Sequence, residues 1–254
     1  MRKTLIILFA LLLAFSGMVF ASGEAEASGE KTYVFAGNAT WPPFEFVDEN
    51  GETTGFEVEL VYAIGEAVGK TFTYRNVAWD TLFAGLLNGQ YDAIASGVTV
   101  TEERKLTIDF AEPFILQGQI LVVRAEDADK YTSLESLPAG SPVGVQMGTT
   151  GDFVLDGTQV TPKRYDDIGL AIEDLINGNT VGVVCDSIIA SDYVLANKNY
   201  TGKLVTVGEQ FTAEEIAMGV KKGNTELLNL INEGYQILVE NGTVDELKAK
   251  WNLL

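Results

Sequence analysis

Two stretches of the chain share one order of residue types: LLNGQYDAIASG at residues 86–97 and LINGNTVGVVCD at residues 175–186. Each is typical of a helix end, an Asn-Gly cap and a short apolar strand. Aligned position by position, they place Gly97 and Asp186 near the carboxyl ends of equivalent strands in two similar halves. Open α/β sheets gather ligands at that edge. The alternative is that this order is only a common helix-to-strand unit.

Strand-like and helix-like segments alternate along the rest of the chain. Apolar residues recur at helical spacing from Glu57 to Val68, and Gly69 follows as a natural C-terminal cap. This alternation predicts an α/β fold with largely parallel sheets. We predict helices at 57–68, 80–88, 168–177, 187–196, 225–240 and 243–251, and strands at 33–36, 44–47, 71–74, 93–95, 120–123, 142–145, 181–184 and 204–207.

Composition excludes several classes of function. The 254 residues include 17 basic and 36 acidic side chains, a formal net charge of -19, so a broad basic surface for nucleic acid is not expected. The chain has no histidine and a single cysteine, Cys185. Ser/His and Cys/His catalytic pairs, the usual zinc sites and an intrachain disulfide are therefore excluded. We predict no metal site and no cofactor.

The N-terminus has the layout of a secretory signal. Arg2 and Lys3 precede an apolar run at residues 5–15, and small residues lead to Ala21, after which we expect cleavage. An uncleaved anchor is the alternative, but the run is short of the about 20 apolar residues that span a membrane. Residues 22–31 lack large apolar side chains and are expected to form a flexible leader. We predict a periplasmic protein without a lipid anchor, since no cysteine lies at the cleavage site.

The segment after the first repeat carries a candidate carboxylate site. Gly97 ends the strand, and Thr99 and Arg104 follow it. The planar guanidinium of arginine can donate two parallel hydrogen bonds to one carboxylate, and a nearby hydroxyl can add a third. The alternative is a solvated Arg104 that pairs with Glu102 or Asp109 at the surface.

Asp186 provides a negative charge that complements the positive charge of Arg104. It follows a buried strand that ends in Cys185, where an unpaired carboxylate is costly, and a ligand ammonium would be a suitable partner. The alternative is that Asp186 caps the helix that follows, although Ser187 can do the same. We expect Cys185 itself to be a buried residue of the strand.

Five motifs follow one another along the chain: NATWPPFEF at 38–46, GFEVEL at 55–60, GVTVTEER at 97–104, GVQMGTTG at 144–151 and VCDS at 184–187. Together they resemble those of the periplasmic polar amino-acid-binding proteins. That family comprises the soluble receptors of ABC importers and includes glutamine-, histidine- and lysine/arginine/ornithine-binding proteins. The resemblance covers residues 32–254.

The resemblance implies the two-lobed type II periplasmic binding protein fold, with a ligand cleft between the lobes. Lobe 1 would comprise residues 32–115 and 217–254, and lobe 2 residues 119–211. Segments 115–119 and 211–217 would be the hinges that cross between them. The implied partners are a small amino acid and a membrane ABC permease, and the receptor would be a monomer.

The family's binding residues map onto positions of this chain. Arg104, with Thr99 and Gly97, resembles the clamp for the α-carboxylate, and Asp186 resembles the acceptor for the ammonium. Thr149 and Thr150 match a loop of lobe 2 whose backbone and hydroxyls approach the carboxylate. The full predicted set of ligand-binding residues is Asn38, Trp41, Trp79, Ser96, Gly97, Thr99, Arg104, Gln146, Thr149, Thr150 and Asp186.

Selectivity for the ligand side chain rests on fewer residues. Asn38 offers a donor and an acceptor where several receptors for basic amino acids carry an acid, and Ser96 and Gln146 are possible helpers. Glutamine is therefore the predicted ligand. Trp41 and Trp79 are expected to wall the pocket, with core packing as their alternative. Because indole faces also attract a guanidinium, arginine is the next choice.

The sequence thus predicts a receptor that captures a polar L-amino acid and is not an enzyme. Two alternatives stay open. One is a periplasmic enzyme like cyclohexadienyl dehydratase on the same scaffold, which would need an acid or base in the cleft. The other is the ligand-binding domain of a sensor. Glu45, Glu57 and Glu59 are not assigned to an acid/base or calcium site, since the nearby DENG at 48–51 lacks the ligand spacing of an EF-hand loop and predicts a tight turn.

Overall fold

The computed structural model describes residues 31–253. The predicted signal peptide, residues 1–21, and the predicted leader except Lys31 lie outside the described residues. The strands are β1 (Thr32–Gly37), β2 (Thr40–Trp41), β3 (Glu45–Val47), β4 (Thr53–Thr54), β5 (Thr71–Asn76), β6 (Ala93–Ile94), β7 (Ile108–Phe110), β8 (Ile115–Gln117), β9 (Gln119–Arg124), β10 (Pro142–Gln146), β11 (Thr161–Tyr165), β12 (Gly182–Asp186), β13 (Leu204–Val207), β14 (Glu214–Ile216) and β15 (Gly219–Lys221).

All six predicted helices are present, with ends within two residues except in one case. The segment predicted as one helix at 187–196 begins as an α-helix and continues from Asp192 to Ala196 as a π-turn. The α-helices are α1 (Phe56–Ala67), α2 (Trp79–Leu87), α3 (Thr150–Phe153), α4 (Ile168–Ile176), α5 (Ser187–Ser191), α6 (Thr225–Glu240) and α7 (Thr243–Lys250).

The strands form two five-stranded sheets of the same design. The first has the order β5-β1-β6-β15-β7 and the second the order β11-β10-β12-β9-β13. In each, the first three strands are parallel and the last two pairings are antiparallel. Four strands of each sheet thus run in one direction and the fourth in order, β15 or β9, runs against them, so the predicted α/β fold is confirmed and most strands run parallel. The antiparallel strands β9 and β15 directly follow the segments that cross between the sheets, so they enter from the opposite end.

The repeated stretches occupy matching places in these sheets. β6 and β12 are both third in order, and each follows a helix that ends at an Asn-Gly pair. Gly89 and Gly178 adopt positive φ angles of 72° and 76°, the left-handed conformation that ends helices at low cost in glycine. The carboxyl ends of β6 and β12 are thus equivalent positions, as the repeat predicts.

A two-stranded ribbon joins the two sheets. β8 and β14 pair antiparallel, with Gln117 opposite Glu214. These strands lie inside the segments predicted as hinges, 115–119 and 211–217. The assignment of the lobes and of hinge motion stays a prediction.

The two sheets are covered by helices through apolar contacts. Leu82 and Leu86 of α2 are buried against one face of the first sheet. On the other face α1 packs against α6, and a Cβ at Gly234 would lie 2.8 Å from the Ile64 side chain, so glycine allows this close approach. In residues 31–253 there is no helix with the length and hydropathy needed to cross a bilayer.

Candidate functional site

The residues after β6 and at the end of β12 line one cavity of about 310 Å³. This volume includes space that is open to solvent, and the room left for the centre of a water-sized sphere is about 10 Å³. The structure brings all the predicted ligand-binding residues to its wall; these are Asn38, Trp41, Trp79, Ser96, Gly97, Thr99, Arg104, Gln146, Thr149, Thr150 and Asp186. Their role in ligand binding stays a prediction.

Residues from both sheets meet directly around this cavity. The amide nitrogen Nε2 of Gln146, at the end of β10, lies 3.1 Å from Oδ1 of Asn38, which follows β1. The hydroxyls of Thr99 and Thr150 lie 3.3 Å apart. The cavity is therefore closed by contacts between the two halves of the fold.

Arg104 lies half-buried at the start of a single 3₁₀ turn. Its Nη1 donates to the backbone oxygen of Thr99 at 2.9 Å. Its guanidinium carbon lies 4.9 Å from the centre of the Phe83 ring and 5.6 Å from that of Trp79. Burial lowers the pKa of Arg104 to about 10, which is still far above neutrality. The guanidinium is thus held in place as a cation.

The alternative in which a solvated Arg104 pairs with Glu102 or Asp109 is wrong. Glu102 pairs with Lys105 at 2.8 Å, and Asp109 pairs with Lys222 at 3.6 Å. In the described part of the chain, Arg104 forms no ion pair. A half-buried cation that has spare donors and no anionic partner is suited to an anionic group of a ligand.

Asp186 is buried at the end of β12. Its Oδ1 accepts a hydrogen bond from Nε2 of Gln117. It stands at the N-cap of α5, yet its side chain makes no capping hydrogen bond, so capping does not explain it. Burial, with the nearby charge of Glu214, raises the pKa of Asp186 to about 7. A cation in the cavity would favour the ionised form.

Three polar side chains at the wall are already engaged by neighbours. Asn38 Oδ1 accepts from Gln146 and, at 2.8 Å, from Thr40. Gln146 Nε2 also donates to the backbone oxygen of Asp166 at 3.1 Å. The Ser96 hydroxyl donates to the buried Glu45 and accepts from the backbone amide of Asn38, both at 2.9 Å. Within the described residues, Asn38 Nδ2 donates only to the Val77 oxygen at 3.4 Å and Gln146 Oε1 accepts no hydrogen bond, so one donor and one acceptor remain for a ligand side chain.

Thr149 also has a local role. Its hydroxyl donates to the backbone oxygen of Gln146 at 2.8 Å and accepts from the amide of Asp152 at 3.3 Å. It therefore caps the short helix α3, and its side chain does not project a free donor into the cavity. Thr150, the next residue, makes different contacts, which are described below.

The two indoles border the cavity from different positions. Trp41 is 7% exposed and lies over Gly97, whose φ is +53°. A Cβ at Gly97 would lie 3.0 Å from Trp41 Nε1, so glycine fits both the backbone angle and the contact. Trp79 begins α2 and meets Phe83 edge to face, with ring centres 5.2 Å apart. Trp79 is half-buried and Trp41 is buried, and both present ring surface to the cavity.

Two fully buried acids, Glu45 and Glu57, hydrogen-bond to the cavity-wall residues Ser96 and Gly97. Glu57 Oε2 accepts from the Gly97 amide at 2.7 Å, and Glu45 Oε1 accepts from the Ser96 hydroxyl at 2.9 Å. The two carboxyls lie within hydrogen-bonding reach of each other. Burial raises the pKa of Glu57 to about 7, and burial with the charge of Glu57 raises the pKa of Glu45 well above its usual range. One proton shared by the pair accounts for this arrangement.

Sequence reasoning left out this pair and three residues of the crossing segments. Gln117, Gln119 and Glu214 are buried beside the cavity wall. The motif GFEVEL contains Glu57, but its helical spacing gave no sign that Glu57 reaches Gly97. Nothing in the local pattern around Glu214 marks it, because its burial depends on the pairing of β14 with β8.

Comparisons with known proteins agree with the fold and extend along the whole described chain. Residues 33–253 match the model of the bacterial extracellular solute-binding proteins, family 3. The chain is 33% identical over 89% of its length to a probable histidine-binding protein of Neisseria gonorrhoeae, covering 84% of that protein. It is 32% identical to a putative ABC transporter arginine-binding protein 2 of Escherichia coli (strain K12), over 99% of both chains.

Solved structures are similar to the same extent. An ancestral arginine-binding protein bound to arginine is 36% identical, with a TM-score of 0.80 over 87% of this chain and 97% of that one. An ancestral arginine-binding protein bound to glutamine is also 36% identical, with a TM-score of 0.79 over 88% and 98% of the two chains. The similarity thus includes both sheets and the ribbon between them.

Proposed function

The chain belongs to the bacterial extracellular solute-binding proteins, family 3, and on that basis we propose that it captures a free polar L-amino acid in the periplasm and passes it to an ABC permease. The observation that carries this proposal is a pair of opposite charges at one cavity, a half-buried Arg104 and a buried Asp186. Arg104 is contributed by the first half of the fold and Asp186 by the second. The residues of this cavity are the proposed binding site.

The two charges fit the two ends of an α-amino acid. Arg104 and Asp186 form no ion pair with each other in the described part of the chain, although the charge of each affects the pKa of the other. A ligand carboxylate at Arg104 and an ammonium at Asp186 would supply the missing partners. The ligand then bridges the two halves and stabilises the closed form by its greater affinity for it. A permease could recognise that closed form.

For the side chain of the ligand we favour arginine over glutamine. Asp186 and Glu214 add negative charge around Arg104, and a net cationic ligand compensates for it better than a neutral one. The Trp41 indole offers a face on which a guanidinium can stack. Arginine-binding relatives support the same choice.

A thermal-shift screen of all twenty amino acids with the purified chain tests the proposal. A ligand that binds only the folded state raises the melting temperature by mass action, and we expect arginine to raise it most. Agmatine lacks the α-carboxylate and 5-guanidinopentanoate lacks the α-amino group, so both should shift it much less. A larger shift with glutamine would keep the receptor role and reverse the choice of side chain. If no amino acid shifts the melting temperature, the proposed function is wrong.

The role as a receptor and not an enzyme is part of this proposal. In the described chain Arg104 and Asp186 are the ionisable residues of the cavity wall, and the Glu45–Glu57 pair lies behind Ser96 and Gly97. A dehydratase would have to use Asp186 as its acid, the same group that we assign to the ammonium. Incubation with a cyclohexadienyl substrate should give no aromatic product, and formation of that product would favour the enzyme.

A further inference from the structure

A buried carboxylate on the crossing ribbon holds one hydroxyl from each side of the cavity. Glu214 is 8% exposed and begins β14. Its Oε2 accepts from the hydroxyl of Thr99 at 2.9 Å and from that of Thr150 at 2.8 Å. Thr99 follows β6 of the first sheet, and Thr150 begins α3, which follows β10 of the second sheet. Glu214 Oε2 therefore connects the two halves of the fold through these hydroxyls.

Two further contacts hold this arrangement. Glu214 Oε1 accepts from the Thr212 hydroxyl at 2.6 Å, which fixes the carboxylate within its own segment. Gln119 Nε2 donates to the Thr150 hydroxyl oxygen at 3.1 Å and approaches Glu214 Oε2 at 3.4 Å. Gln119 lies at the end of the other crossing segment. Both crossing segments therefore contribute to the same cluster.

The direction of these hydrogen bonds decides what the hydroxyls offer to a ligand. A hydroxyl has one proton and two lone pairs, and a carboxylate can only accept. When Thr99 and Thr150 donate to Glu214, their oxygens are left with lone pairs and no proton for the cavity. Such groups accept from an ammonium and cannot donate to a carboxylate. This differs from the expectation that the Thr150 hydroxyl approaches the ligand carboxylate.

We propose that Glu214 is a positioning residue that links the two lobes in the closed state and presents Thr99 and Thr150 as acceptors to the ligand's ammonium. The inference rests on the proposed function and assigns a role to a residue outside the predicted site. Asp186 supplies the charge for the ammonium, and the two hydroxyls complete its hydrogen bonds. Arg104 is then left to bind the carboxylate with the help of backbone amides.

The variant Glu214→Gln tests this with Glu215→Gln as its matched control. Glu215 is the next residue of the same strand and is exposed. The amide that replaces the Glu214 carboxylate would donate to the hydroxyls and turn their protons toward the cavity. We expect arginine affinity to fall by about tenfold or more, the usual scale for a lost hydrogen bond to a charged group. The affinity for 5-guanidinopentanoate, which has no ammonium, should change by less than about threefold.

Comparison with Thr150 variants separates positioning from folding. We expect Thr150→Val to lose arginine affinity as Glu214→Gln does, and Thr150→Ser, which keeps the hydroxyl, to bind nearly as wild type. In the double variant the two losses should not add, because both remove the same interaction. If Glu214→Gln does not fold, the Thr150→Val and Thr150→Ser pair with both ligands still gives the answer.

Calorimetry on the two ligands distinguishes the outcomes. Unchanged arginine binding in Glu214→Gln, or equal losses for arginine and 5-guanidinopentanoate, overturns the role of Glu214 while wild-type binding upholds the receptor function. Equal effects of Glu214→Gln and Glu215→Gln overturn it as well, since they point to loss of charge alone. If wild type binds no amino acid, the proposed function fails and this inference fails with it.

Discussion

At the scale of single residues, the cavity combines groups held by the protein with groups left for a ligand. Arg104 donates to the Thr99 backbone and lies against two aromatic rings, yet it has no anionic partner within the described residues. Asp186 accepts from one glutamine, and its pKa is raised to about 7 by burial. Partial or full burial costs each of these charges free energy, and a zwitterion bound between them reduces the cost of both.

Replacement of Arg104 by alanine is expected to weaken arginine binding by about 2 to 5 kcal/mol, since loss of one partner of a buried charge pair costs about that much. Agmatine, which has no carboxylate for Arg104 to bind, should bind wild type weakly and the variant no worse. Calorimetry with both ligands measures this. Arg75→Ala removes an exposed arginine and should leave both affinities unchanged. Parallel losses for arginine and agmatine would show that Arg104 serves the fold and not the carboxylate.

At the scale of elements, the repeated helix, cap and strand place the cavity at the ends of β6 and β12. Gly97, just after β6, has a positive φ, donates its amide to Glu57 and lies beneath the Trp41 indole. The position of the loop at the site therefore depends on the absence of a side chain. Gly89, which follows α2 and precedes β6, has a similar φ of 72°, but no neighbour would lie within 4 Å of a Cβ there.

This contrast gives a paired prediction. Gly89→Ala should cost about 1 to 2 kcal/mol in the free energy of unfolding, the usual strain of a left-handed residue, and should leave ligand affinity unchanged. Gly97→Ala carries the same strain and in addition places a methyl group 3.0 Å from the Trp41 ring. We expect a larger loss of stability and a clear loss of affinity. Denaturant melts and calorimetry check both; equal effects of the two substitutions would mean that the Trp41 contact is unimportant.

The secondary-structure elements also show which features could be predicted from the sequence and which could not. Helices such as α6 follow from apolar residues at regular spacing, and the repeat predicted the equivalence of β6 and β12. β11 was missed because Pro162 and two basic residues give this edge strand no apolar pattern. The ordered motifs contain most of the cavity residues, which is why the sequence could predict them. Glu214 and Gln119 reach the site only because the two crossing segments, distant in sequence, pair with each other.

At the scale of the whole molecule, three buried acids couple stability to pH. In the folded state the pKa of Glu57 and of Asp186 is raised to about 7, and that of Glu45 is raised well above its usual range, by burial in each case. In the unfolded chain these carboxyls titrate near pH 4. Between those values the folded state binds more protons than the unfolded state, so stability falls as pH rises.

We therefore expect the free energy of unfolding of the ligand-free protein, as far as these groups determine it, to be greatest below about pH 4 and to decrease as the pH rises through about 7. Glu57→Gln removes one of the titrating groups while its amide oxygen can still accept from the Gly97 amide. The variant should lose less stability over this range than wild type, by on the order of 1 to 3 kcal/mol. Denaturant unfolding at several pH values measures the difference. Glu49→Gln removes one exposed negative charge and should keep the wild-type slope. If Glu57→Gln follows that same slope, the Glu45–Glu57 pair does not hold a proton in the folded protein.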